Sequence, residues 1–329
     1  MPGDAPFELV PMEPWMLPGM AELQAGQYKV DPAKAEARLR TWFDSDFAHR
    51  QGSIALAGIS GDRVIAMQTY SAWPYVRNGR SYRSLQSGAT LVHPDFRGRK
   101  IFQRLLREGN RLATANGHDF LVGFPVPMSL GGFVKDGWTN HGPLRWWTRA
   151  LRPLALLQRK APTSTLELPR CPGETFYPES VAPTEGRGGM FSLTDEPDFF
   201  QWRYSHRAED FRYFRHSRGT HSVHMILKPS TQHGFKEILI GKVRSRRGSS
   251  AFVGQALLRL GWTAYRNGAA AISTALLNPE PTTLAALILA GFLPGKATAP
   301  LIVKPLHEMP DVTNKKFWRG TCLEDIDTW

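Results

Sequence analysis

Short apolar strands and amphipathic helices alternate along this chain, and the alternation occurs twice in the same order, from Ser53 and again from Ser222. In the first pass, residues 53–60 (SIALAGIS) and 63–70 flank Gly61-Asp62, the spacing of a hairpin. Residues 82–92 read as a further strand. Residues 99–116 read as a helix, with Ile101, Phe102, Leu105, Leu106, Leu112 and Ala113 on its buried face and Gly117 as its stop. A buried strand at 120–124, a short helix at 129–135 and a strand at 138–147 follow. The second pass predicts strands at 222–228 and 237–243, a helix at 249–267 stopped by Gly268, a strand at 269–277, a helix at 282–290 and a last strand at 301–306. Helices are also expected from Asp31-Pro32 to about Phe47, with Asp as N-cap, and at 198–204. Between the passes, residues 150–190 hold Pro153, Pro162, Pro169, Pro172, Pro178 and Pro183 and little periodicity. The reading is an α/β chain of the α+β type in two domains, 1–150 and 191–329, joined by a Pro-rich linker at 151–190.

The length of 329 residues suits two domains. A hydrophobic share of 42% is enough to build packed cores, which excludes general disorder. Two cysteines, Cys171 and Cys322, exclude a disulfide scaffold or a cysteine-rich zinc module and suit a reducing compartment. The longest apolar stretch, 284–293, is far short of the ~20 residues of a membrane helix. The first ten residues carry Asp4 and Glu8 and do not look like a secretory signal, so the expected location is cytoplasmic. The formal charge of +12 favours an anionic partner: nucleotide, phosphorylated sugar, nucleic acid or membrane surface.

The chemistry concentrates in residues 89–106 (ATLVHPDFRGRKIFQRLL). A strand ends at Val92, Pro94 prevents further pairing, and a basic turn of Arg97, Gly98, Arg99 and Lys100 opens directly into a helix. The first amides of a helix have no internal partner and sit at the positive end of its dipole, so such a turn can cradle phosphate oxygens. The residue pattern is that of a diphosphate-binding strand–loop–helix.

This segment resembles the acetyl-CoA-binding motif of the GCN5-related N-acetyltransferases, a strand ending in V-x-P followed by R-G-x-G-I-G. Val92, His93, Pro94, Arg97, Gly98 and Ile101 match it, and Phe133 to Trp138 (FVKDGW) resembles the family's Tyr-x-x-x-Gly-Phe. The resemblance is specific over roughly 85–147. It implies two acyl-CoA N-acyltransferase-like domains, the second degenerate, each a mixed and mainly antiparallel sheet flanked by helices. It also implies acetyl-CoA as acyl donor, held by Leu91, Val92, Arg97, Gly98, Arg99, Lys100, Ile101 and Phe102, with no metal. A backbone N–H near Leu91 or Val92 would stabilise the oxyanion formed when an amine attacks the thioester. Tandem chains of this kind resemble acetyltransferases of surface-polysaccharide gene clusters, a likeness carried by residues 200–204 (FQWRY) and by Trp318 with Asp325 to Asp327; an amino sugar is then the preferred acceptor.

Three positions depart from the family pattern. Lys100 stands for its second glycine, which a helical φ would accommodate, since Lys is a good helix former. Phe102 stands for its third small residue and could turn into the core. Phe133 stands for the Tyr that often protonates the leaving thiolate, which Phe cannot do. Candidate acids or bases are therefore Tyr82, His93 and the terminal carboxylate at Trp329, with Tyr70 and Tyr75 as further substitutes; Asp136 and His141 read as surface polar groups.

Other features weigh less. His216, His221 and His224 lack a completing Cys or Glu for a metal site. Residues 291–296 (GFLPGK) mimic a phosphate loop but follow a helix where a strand is required. Residues 244–248 (RSRRG) occupy the second copy's equivalent of the cofactor turn, read as a solvated basic turn. Residues 144–160, mixing Trp, Leu and Arg, leave peripheral contact with a membrane surface open. The rival functions are an aminoacyl transferase using charged tRNA, which the positive charge would fit, and a non-catalytic acyl-CoA-binding protein.

Overall fold

The structure is a computed structural model and describes residues 6–158, 189–205, 210–231, 235–246 and 248–326. Most of the expected linker, 159–188, and the terminal Trp329 lie outside the described residues. The chain divides into two compact units: residues 1–76, 80–141 and 300–315, and residues 77–79, 142–299 and 316–329.

The first unit opens with β1 (Glu8–Pro11) and then three helices, α1 (Leu17–Tyr28), α2 (Pro32–Phe43) and α3 (Asp46–Gln51). The periodicity missed α1, because Pro18, Gly19 and Gly26 interrupt its pattern. Its Gly19 permits close approach to the sheet: a Cβ there would stand 2.9 Å from Val64. The helix expected from Asp31 to Phe47 is two helices. Asp31 caps α2 through Ala33 N–H, and Ser45 caps α3 through Ala48 N–H. β2 (Ile54–Ser60) and β3 (Arg63–Ala72) form the expected hairpin. A small hairpin of β4 (Tyr75–Arg77) and β5 (Arg80–Tyr82) follows, turning at Asn78-Gly79, both at positive φ as such a turn requires. Then come β6 (Ser84–Val92), α4 (Ile101–Ala115), β7 (Phe120–Gly123) and α5 (Pro127–Lys135).

The second unit takes up the chain within β8 (Thr139–Ala150) and continues through α6 (Pro153–Gln158), β9 (Ser192–Leu193), α7 (Pro197–Ser205), β10 (Arg212–Arg218), β11 (His221–Ser230), β12 (Glu237–Arg246), α8 (Ser250–Arg266), β13 (Ala271–Leu276) and α9 (Pro281–Leu289). Its sheet has the order β8-β13-β12-β11-β10, with only β12–β13 parallel. Its core is built from Val223, Met225, Leu227, Ile238 and Ile240 under Leu257, Leu260 and Leu287.

β14 (Leu293–Pro305) is longer than the strand expected at 301–306, and its later half belongs to the first unit. There Ile302 to Pro305 pair antiparallel with Gly123 to Phe120, giving the order β1-β2-β3-β6-β7-β14, and α10 (Pro310–Thr313) follows. Residues 300–315 thus complete the first unit, where the sequence reading assigned them to the second. Each unit is a mixed, mainly antiparallel sheet with helices packed on it, the fold class expected.

Candidate acyl-carrier site

Two irregularities shape the first unit's sheet around β6. Thr69 of β3 faces both Gly88 and Ala89, because the register passes from Tyr70↔Ser87 to Gln68↔Thr90, a β-bulge. The parallel ladder with β7 covers only Ser84–Ser87, after which β7 ends and β6 runs on to Val92. Among the described residues, Gly88 to Val92 therefore have no strand on the β7 side. His93 N–H donates to Ile65 O at 2.8 Å, on the β3 side. Strand alternation then turns the N–H and C=O of Val92 to the open side, and Arg97 Nε donates to Val92 O at 3.3 Å. Of the two amides expected to face a thioester, Val92 faces the opening and Leu91 faces β3.

The turn beyond β6 is open. His93 caps a short 3-10 turn at Pro94–Phe96, and Arg97 N–H closes it on Pro94 O at 3.2 Å. Gly98 has φ +82 with nothing within 4 Å of where a Cβ would stand. Lys100, where a helical φ would accommodate the loss of glycine, instead has φ +58, a left-handed conformation that favours glycine. Its side chain is exposed, so the turn keeps a glycine-like path at a cost of roughly 1–2 kcal/mol in backbone strain. No side chain caps α4, and its first helical bond runs from Arg104 N–H to Lys100 O, which leaves the amides of Ile101, Phe102 and Gln103 outside the helical ladder. Phe102 does not plug the turn. Its ring lies against Gly132 of α5, where a Cβ would stand 2.5 Å from it, and meets Phe133 edge-on at 5.4 Å.

Leu91, Val92, Arg97, Gly98, Arg99, Lys100 and Ile101 thus surround one bend, with Ile101 buried and Arg99 stacked over Phe96 at 4.7 Å. The candidate acids and bases do not gather there. Tyr82 lies beyond the other end of β6, on the order of 30 Å away by strand rise, packed on Phe120. His93 is close, but both ring nitrogens are engaged, Nε2 with Arg63 at 2.7 Å and Nδ1 with the amide and carboxylate of Asp95. Phe133 is buried between Phe102 and Trp138. Tyr75 is fully buried. Tyr70 is buried too, its ring against Gly109 of α4; burial first, and Asp136 second, push its phenol well up. Asp136 and His141, read as surface groups, are internal. Asp136 pairs with Lys304 at 2.8 Å and His141 Nε2 meets Val312 O at 3.0 Å, burial holding that imidazole below its usual range.

The sequence missed what stands opposite the motif. A groove of about 680 Å³ runs between α1 and the end of β6, lined by Trp15, Glu22 and Gln27 on one wall and by Arg63, Val92, His93 and Arg97 on the other. Trp15, half exposed, and Glu22 were the only local signals, and without α1 nothing tied them to the turn.

The second unit builds the corresponding place differently. β12 and β13 pair only over Glu237–Leu239 and Ala271–Ser273 and then run on separately. The chain's C-terminal segment enters the gap: Leu276 bridges Cys322, Leu277 N–H donates to Thr321 O at 2.8 Å, and Gly320 N–H donates to Leu277 O at 3.0 Å. Arg244 was read as part of a solvated turn. It is buried, donating to Asp195 at 3.0 Å and to Glu324 at 2.8 Å. Burial opposes its charge, but Glu324 and Asp195 outweigh that and hold its pKa above the ordinary range. Ser249 caps α8 by accepting from Phe252 N–H, where α4 has no cap. The cavity left beside Arg244 and Asp325 is about 110 Å³, below the ~300–1,000 Å³ usual for ligand pockets. His224 meets Tyr213 at Nδ1 and Ser222 at Nε2, a packed polar relay.

No family model matches the sequence, and no curated protein matches it. Solved structures are similar in fold. A GCN5-related N-acetyltransferase from Kribbella flavida aligns over 92% of this chain and 72% of its own at TM-score 0.60 and 14% identity. One from Anabaena variabilis aligns over 92% and 73% at TM-score 0.61 and 8% identity. A tandem GNAT protein from the clavulanic acid biosynthesis pathway aligns over 92% of this chain and 100% of its own at TM-score 0.50 and 14% identity. At such identities the likeness is one of fold, and the fold is that of the GCN5-related N-acetyltransferases, present twice.

Proposed function

We propose that this chain is an acetyl-CoA-dependent N-acetyltransferase acting on a small amine, with one acyl donor bound, by the first unit. The observation that carries the reading is the uncapped start of α4, reached through a left-handed turn at Gly98 and Lys100, beside a β6 edge free of β7. Acetyl-CoA supplies the activated acyl group. The free amides of Ile101 to Gln103 and the side chains of Arg97, Arg99 and Lys100 hold its diphosphate. The Val92 N–H donates to the carbonyl oxygen as negative charge develops on it. The α1 groove takes the acceptor: the carboxylates of Glu22 and Asp62 attract an ammonium, and Glu22 is the group we assign to removing its proton before attack. Phe133 cannot protonate the leaving thiolate, and a thiol pKa near ~8.5 lets it leave as the anion. The acceptor we favour is an amino sugar of surface polysaccharide synthesis, on the strength of the sequence likeness at 200–204, and the working compartment is the cytoplasm.

Calorimetric titration of acetyl-CoA tests this reading. The expected result is one site per chain, lost in Arg97→Glu with the melting temperature nearly unchanged, because Arg97 is exposed. Absence of binding, or equal affinity in Arg97→Glu, would remove the turn from the site. Glu22→Gln is expected to lower kcat about 10²–10⁴-fold while leaving acetyl-CoA affinity intact; full activity in that variant would reassign the base.

A further inference from the structure

Apolar side chains gather on one face of the second unit. On α8, Leu258, Trp262 and Tyr265 follow the spacing of a single helical stripe, and Trp262 is 60% exposed. The Trp262 and Tyr265 rings stack at 6.1 Å with 13° between planes. α9 lies alongside: Leu289 Cβ stands 3.6 Å from where a Cβ on Gly254 would be, one turn before Leu258. Ile288, Leu289 (62% exposed) and Leu293 (72% exposed) extend the apolar surface through the turn into β14. Arg149 links the two sides, approaching both Gly261 of α8 and Gly291. Arg152 lies over the Tyr265 ring at 4.3 Å and donates to Tyr265 O, and beside it begins α6 with Leu154 exposed.

The charge around this face has one sign. α8 and α9 carry Arg259 and Arg266 and no acid, Glu280 standing at the N-cap of α9, the end away from Leu289; Lys296 is exposed on β14, and residues 142–158 hold three Arg and no acid. Arg266 sits at 5.8 Å over the Trp262 ring and Arg259 is exposed on the same helix. Aromatic rings and leucines rimmed by guanidinium groups suit a surface with an apolar interior and a phosphate edge. A second copy would set arginine against arginine across a two-fold axis. Nucleic acid would match the arginines and leave Leu258, Ile288, Leu289 and Leu293 without a partner.

We propose that the α8–α9 face docks on an anionic lipid surface. Trp262, Leu258 and Leu289 enter the boundary between headgroups and acyl chains, while Arg152, Arg259 and Arg266 meet headgroup phosphates. The mode is peripheral, since among the described residues no helix is long and apolar enough to cross a membrane. The first unit's turn and groove play no part in it.

Co-sedimentation of the full chain tests the proposal, using phosphatidylcholine vesicles with and without phosphatidylglycerol, at low and high salt. The expected result is partitioning onto phosphatidylglycerol vesicles that weakens as salt rises. The double variant Trp262→Glu, Leu289→Glu is expected to lose at least tenfold in partition coefficient, and Arg152→Gln and Arg266→Gln about fivefold each. Trp262, Leu289 and Arg266 are exposed, Arg152 is half-buried against Tyr265, and all lie outside the acyl-donor site; melting temperature and acetyl-CoA titration are expected to stay at the parent values in the Trp262, Leu289 and Arg266 variants and serve as the folding check. No partitioning onto anionic vesicles, or partitioning that survives Trp262→Glu with Leu289→Glu, overturns the proposal. So does self-association in sedimentation velocity abolished by Trp262→Glu, which assigns the face to a second copy. Salt-sensitive tRNA binding abolished by the same substitution likewise overturns it in favour of RNA.

Discussion

Gly132→Ala is the most informative single change in the first unit. A methyl there would stand 2.5, 3.1 and 3.2 Å from three atoms of the Phe102 ring, all tighter than ordinary contact at 3.4 Å. The ring has little freedom to yield, being edge-on to Phe133, which is itself edge-on to Trp138. Overpacking of this kind costs about 1–3 kcal/mol. Ala is also the better helix former, by about 0.8–1.0 kcal/mol over Gly, so the sign of the effect depends on the ring alone. In the parent, Gly132→Ala should destabilise; in a Phe102→Ala background, with the ring gone, it should stabilise. The assay is urea unfolding of the four chains, comparing midpoints at unchanged slope. A second readout is acetyl-CoA affinity: the displaced ring moves toward the first turn of α4, so Gly132→Ala alone should weaken binding and the double variant should recover part of it. The same sign of stability change in both backgrounds would refute the view that Gly132 is what lets a phenylalanine occupy a position beside the phosphate turn.

Other outcomes follow from the same geometry. Gly98→Ala should cost about 1–2 kcal/mol because φ is +82, and should weaken acetyl-CoA binding in calorimetry, although nothing stands in the way of its methyl group. In the second unit, Glu324→Ala leaves the buried Arg244 with Asp195 as its remaining carboxylate partner; removing one side of such a pair costs about 3–5 kcal/mol, read as a lower unfolding midpoint, while acetyl-CoA stoichiometry stays at one. Burial, then Arg215 and Arg244, lower the His224 pKa from 6.5 to about 4. The unfolded chain therefore binds the extra proton between those values, and stability is lost as pH falls through that window. His224→Gln should make urea midpoints measured from pH 7 to 4.5 less pH-dependent; an unchanged slope would exclude His224 as a source.

What could be read from residue order was whatever depends on neighbours within about ten positions. The Asp31 cap, the Pro94 stop and the apolar face of α4 are local chemistry, and each fixes an element or its end. The phosphate turn was legible for the same reason, since its amides, glycine and arginines are contiguous. Where local rules conflict, the outcome passed to tertiary contacts. Helix propensity favoured a right-handed Lys100, but the path from β6 into α4 demanded the left-handed one. The direction of Phe102 was settled by Gly132, on another helix. α1 has weak periodicity, and Gly19 lets it lie close on Val64 of the sheet. Two decisions were beyond any local signal: residues 300–315 complete the first unit's sheet, and residues 320–325 fill the gap between β12 and β13. Both are edge pairings between segments far apart in the chain. Backbone hydrogen bonds carry almost no side-chain signature, so only the assembled sheets reveal which edge each segment joins.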